Sequence, residues 1–185
     1  MGPRISKLRP SSLLIVAVCA AAVCGPRAAA QGRATARVKG RGSVVVSEGG
    51  RAHTLDISAQ ADAARLQDAT VHFITRRGEF VYLLLSACGM SKLKSDDRQC
   101  GAGVECNLVW LKLDARWRVL GSKSERYESC WAPITSDTGP TVTRRFLRLE
   151  YEDLRENLRH TVTYDADRPE EGLKSETSPL PAQGP

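Results

Sequence analysis

The 185-residue chain has few of the features by which a function is read from sequence. It has no Cys-x-x-Cys pair, no Gly-x-Ser-x-Gly and no Gly-x-Gly-x-x-Gly. Those absences remove the usual zinc-ribbon, serine-hydrolase and dinucleotide signatures. Gly101-Ala102-Gly103 has the glycines of a phosphate loop, but neither the Lys-Ser/Thr pair nor a following helix. Aromatic residues make up only 5% and there are only three histidines, His53, His72 and His160. None of the three has a partner at metal-ligand spacing. No cofactor is expected. No apolar stretch reaches the roughly 20 residues of a membrane-spanning helix, and the length fits one domain rather than separate cofactor and substrate domains.

The most informative segment is the first. Arg4, Lys7 and Arg9 open the chain with no acidic residue among them, and Leu13 to Cys24 is an apolar run of 12 residues. Gly25-Pro26 then breaks the run, and Ala28-Ala29-Ala30 offers small residues for cleavage. This order reads as a secretory signal peptide over residues 1–30. Cys19 and Cys24 follow Val18 and Val23 rather than the small residue that lipoprotein signals place there, so a lipid anchor is the lesser reading. The expected location is secreted or periplasmic. Removing Arg4, Lys7, Arg9 and Arg27 leaves 23 basic against 21 acidic residues. The formal charge of +6 therefore belongs mostly to the leader, and nucleic acid is not an expected partner.

Four cysteines remain after such cleavage: Cys88, Cys100, Cys106 and Cys130. An even number in an exported domain reads as a disulfide framework. The spacing carries no zinc pair, and four cysteines allow three connectivities between which sequence cannot choose.

The rest reads as antiparallel β-structure. Residues 31–42 carry four basic and no acidic residues and are expected to be a flexible arm. Residues 43–167 contain seven or eight short strands separated by turn signals. Phe80 to Ala87 is apolar without alternation, which marks a central strand buried on both faces. In Asn107 to Leu113, Leu108 and Trp110 share one face while Val109, Leu111 and Leu113 share the other. Leu147, Leu149 and Tyr151 alternate with charged neighbours, and Val162 and Tyr164 repeat the pattern in the return strand. Residues 168–185 hold four prolines and read as a flexible tail. The expected fold is all-β, an antiparallel sandwich or small barrel with minor helix, stapled by disulfides.

The long polar segment Gly89 to Glu105, divided by the cysteines, is the candidate binding loop, with Lys92, Lys94, Asp96, Asp97 and Arg98 as its charged residues. Asp96, Asp97 and Glu105 lack the spacing of a calcium loop. Tyr127 to Trp131 is a second candidate contact surface. The expected function is non-enzymatic binding of a macromolecule, a protein or cell-envelope component, in the manner of an inhibitor. A hydrolase acting on the envelope and an accessory subunit of an envelope complex are the alternatives.

Overall fold

The computed structural model describes residues 34–92 and 103–181. The leader read at residues 1–30 lies outside them. The described residues are all-β and antiparallel, with two sheets and very little helix.

The smaller sheet is a meander of β1 (Thr35–Lys39), β2 (Ser43–Glu48) and β3 (Arg51–Asp56). Val44, Val45 and Val46 of β2 are buried. Gly49 and Gly50 close the β2–β3 hairpin with φ of +55° and +79°, the pair of positive values that a two-residue primed turn demands. β1 falls inside the segment whose composition reads as a flexible arm. It is a strand because Ala36 and Val38 alternate with the outward Thr35, Arg37 and Lys39 and pack on the core.

A single helical turn, α1 (Ser58–Ala61), leads to the larger sheet. This sheet contains β4 (Arg65–Arg77), β5 (Phe80–Met90), β6 (Val104–Leu113), β7 (Val119–Ser129), β8 (Ile134–Thr135), β10 (Phe146–Asp153), β11 (Leu158–Asp165) and β12 (Lys174–Pro179), in the spatial order 12-11-10-8-7-6-5-4. The two-residue β9 (Thr141–Val142) pairs with β10. The described residues hold twelve strands, where seven or eight are expected. The excess comes from β1, β12 and the very short β8 and β9, all too short or too exposed to show periodicity.

β5 and β6 lie between two apolar cores. Val81, Leu83, Leu85 and Ala87 of β5 join Val109, Leu111 and Leu113 of β6 against Val44, Val46 and Leu55 of the smaller sheet. Tyr82 and Leu84 join Leu108 and Trp110 against Leu147 and Leu149 of β10 and Val162 and Tyr164 of β11. Burying each of these large side chains stabilises the fold by roughly 1.5–3 kcal/mol. An unalternating β5 follows directly, because neither of its faces meets water.

The C-terminal segment is also tied down. Trp110 Nε1 donates to the Pro169 carbonyl at 3.0 Å, Leu173 is buried, and β12 pairs with β11 over six residues. Every residue of β12 is exposed. Its backbone rather than its side chains holds it in place, which is why a Pro-rich, polar composition concealed it.

Candidate functional site

The candidate loop leaves the sheet at the end of β5 and returns at the start of β6. Its stems are ordinary antiparallel ladder: Cys88 faces Cys106, Gly89 faces Glu105, and Met90 faces Val104. The Ser91 amide then donates to the Gly103 carbonyl at 3.0 Å, extending the pairing past both strands. Cys88 and Cys106 form a disulfide with Cα atoms 4.2 Å apart, a separation natural to directly opposed residues in a non-hydrogen-bonded pair. The register therefore settles for these two cysteines what spacing left open. Cys130 is disulfide-bonded as well. Cys100 lies outside the described residues, as do Lys94, Asp96, Asp97 and Arg98.

Beneath the stems sits a buried carboxylate. Glu105 is only 1% exposed. One of its oxygens, Oε1, accepts from Ser91 Oγ at 2.8 Å and from the Cys130 amide at 3.2 Å. The other, Oε2, lies 3.6 Å from Arg126 Nε. Three chain segments thus converge on one side chain: the outgoing stem, the returning stem and the end of β7. A buried carboxylate is retained only where charge and hydrogen bonds compensate its desolvation; here Oε1 is hydrogen-bonded, while Oε2 has the Arg126 charge opposite it but no hydrogen bond.

The network continues outward. Arg126 Nη2 also donates to Asp62, the left-handed residue that ends α1. Asp62 accepts in turn from Lys92 Nζ at 2.5 Å. The Lys92 and Arg126 hydrogen bonds hold the Asp62 carboxyl below the usual range, against a smaller opposing effect of burial. Of the charged loop residues singled out from sequence, Lys92 is the one among the described residues, and it acts here as a tether. Glycines close the packing. A Cβ at Gly89 would overlap the Arg65 carbonyl oxygen, and one at Gly103 would overlap the Cys130 side chain.

The second candidate surface divides: Glu128 is exposed and Trp131 half-buried, but Tyr127 turns inward. Tyr127 is buried in the core shared with β10 and β11, with its hydroxyl 3.7 Å from Cys88 Sγ. The aromatics Tyr127 and Trp131 flanking Cys130 read equally as surface or core, and the tyrosine takes the core. Glu105, Ser91, Asp62 and Arg126 carry most of the site and were missed from sequence as a group. One signal existed for Glu105. It occupies the same strand face as Asn107, Val109 and Leu111, so a carboxylate points inward where the pattern calls for an apolar residue.

The histidines are distributed rather than clustered. His53 stacks on Trp117 with ring centroids 3.9 Å apart, and His160 stacks on Tyr151 at 4.6 Å. His72 is the extra residue of a β-bulge, where the β4–β5 register passes from Val71–Leu85 to Phe73–Leu84. Its Nε2 lies 2.7 Å from Ser86 Oγ. Burial lowers its pKa to about 4, so the ring is neutral near pH 7. Ser86 is itself buried, at 8% exposure. The Ser86 hydroxyl and the His72 ring thus satisfy each other's polarity at a site where both are largely removed from water.

Among the described residues, no group of three or more His, Cys, Asp or Glu side chains is placed to hold a metal ion. No helix among them is long and apolar enough to cross a membrane. No family model matches the chain, and no curated protein or solved structure shows significant similarity to it.

Proposed function

We propose that this chain is an exported β-domain that binds a macromolecule, a protein or cell-envelope component, through the loop spanning residues 89–105. The observation that carries the reading is the anchoring of both loop stems on the buried Glu105 carboxylate, with the Cys88–Cys106 bridge beside it. Such investment in a connection is unnecessary if its only task is to join two adjacent strands, which a two-residue turn accomplishes between β4 and β5. A fixed base reduces the conformational entropy that a loop loses when it docks. The loop's charged residues, Lys94, Asp96, Asp97 and Arg98, supply polar recognition of either sign. Export rests on the leader, and a disulfide is compatible with an oxidising compartment.

The test is a non-reducing pull-down from cell-envelope extract. The wild-type protein is compared with a variant carrying Lys94→Ser, Asp96→Ser, Asp97→Ser and Arg98→Ser. A partner retained by the wild type and lost by the variant, with unfolding midpoints unchanged, supports the reading. Identical retention by both proteins, or retention by neither, removes it.

A further inference from the structure

A cavity that shares no residue with the loop lies between β4 and the turn that joins β9 to β10. Its volume is about 730 Å³, within the roughly 300–1,000 Å³ of small-molecule sites. Four arginines line it, Arg76 and Arg77 from β4 and Arg144 and Arg145 from the turn, against two carboxylates, Glu48 and Asp167.

The arginines are not equivalent. Arg76 is committed, since both of its terminal nitrogens donate to Glu48 at 2.7 Å. That bidentate pair forms one wall. Arg77 is positioned but unneutralised, because it donates to the Asp167 main-chain carbonyl at 2.6 Å rather than to a carboxylate. Arg145 reaches the Asp167 side chain at 3.3 Å, a longer contact. Arg144 makes no ion pair or hydrogen bond with any other described residue. Two of the lining arginines, Arg77 and Arg144, therefore have no carboxylate partner among the described residues. The remaining lining has an apolar component, Val71, Phe73 and Val142, with the neutral His72 ring beside it.

Clustered guanidinium groups repel unless an anion or solvent separates them. Their forked geometry matches the oxygens of a carboxylate or a phosphate. Loop residues that need only solubility have no reason to bring Arg144 and Arg145 across from Arg76 and Arg77. We propose that this cavity is a binding site for a small organic oxyanion, a carboxylate or a phosphate monoester carried on an apolar body. The oxyanion lies between Arg77 and Arg144, and the apolar body rests along Val71, Phe73 and Val142.

The test is titration of the purified protein, followed by nuclear magnetic resonance shifts of backbone amides in residues 71–77 and 142–145. The probes are benzoate, phenyl phosphate, inorganic phosphate and benzyl alcohol. Saturable shifts with benzoate or phenyl phosphate are expected, at least tenfold tighter than with inorganic phosphate or benzyl alcohol. The tighter of the two aromatic anions identifies the oxyanion as carboxylate or phosphate. The Arg77→Gln, Arg144→Gln double variant should weaken that binding at least tenfold. Arg155→Gln, in the β10–β11 turn, should leave it unchanged. The proposal is overturned if neither aromatic anion saturates, if benzyl alcohol or inorganic phosphate binds as tightly, or if the double variant retains wild-type affinity. The Arg144→Gln single variant, which removes no contact within the protein, gives the same decision if the double variant fails to fold.

Discussion

Ser91 Oγ donates to Glu105 Oε1 at 2.8 Å, joining by one side-chain hydrogen bond the two stems of the loop that residues 92–104 form between them. The bond sits where pairing between β5 and β6 gives way to the loop, so the loop base is held by side chains as well as by backbone.

Removing the Glu105 carboxylate should loosen that base. Glu105→Ala leaves the Ser91 hydroxyl, the Cys130 amide and the Arg126 guanidinium without their shared partner. The expected loss is about 2–4 kcal/mol in urea unfolding. Glu105→Gln keeps an acceptor for Ser91 and the Cys130 amide and should lose about 1 kcal/mol. Trypsin should cleave the alanine variant near Lys92 and Lys94 faster than the wild type. Equal stability and equal cleavage of the two proteins would show that the carboxylate anchors nothing.

The Cys88–Cys106 bridge closes a short segment of 18 residues. Closing a loop of that size stabilises by about 3 kcal/mol in the chain-entropy account. A Cys88→Ser, Cys106→Ser variant should lose stability of that order in non-reducing denaturant unfolding, and its thermal midpoint should fall by about 6–12 °C. An unchanged midpoint would mean that the ladder beneath the bridge already holds the stems.

Acidification should destabilise the fold before its carboxylates titrate. The unfolded His72 takes up a proton near its ordinary value of 6.5, but the folded one only near 4, because burial disfavours the charged ring. Between those values the unfolded chain binds the additional proton. Stability from this group is therefore complete above about pH 6.5 and is lost as pH falls toward 4, by at most about 1.4 kcal/mol per pH unit. Glu48 and Asp62, whose pKa values are lowered by their cationic partners, contribute losses only below their unfolded values near 4. His53 is also lowered by burial, so the decisive comparison is between wild type and His72→Gln. Urea midpoints at pH 7, 6 and 5 should fall less steeply in the variant. Parallel slopes would place the acid sensitivity elsewhere.

Much of the β architecture was legible because side chains declare it. The unbroken apolar run of β5, the two-sided pattern of β6 and the alternating β10–β11 hairpin all stand where the residues put them. β1 and β12 were hidden for different physical reasons. In β1 the outward Arg37 and Lys39 dominate the composition while only Ala36 and Val38 pack inward. In β12 no side chain is buried, and backbone hydrogen bonding leaves no trace in residue type. The same distinction applies to the loop site. Cysteines announce that bridges exist, but the Cys88–Cys106 pairing follows from strand register. The convergence of Asp62, Arg126 and Glu105 joins residues far apart in sequence that no local pattern connects.

Leu84 and Leu85 are neighbours in sequence, both fully enclosed, yet they belong to different cores. The hairpin that carries them is common property of everything packed on either side. Loosening it would open both interiors together. Melting should accordingly be a single event, with no half-folded survivor bearing one intact interior.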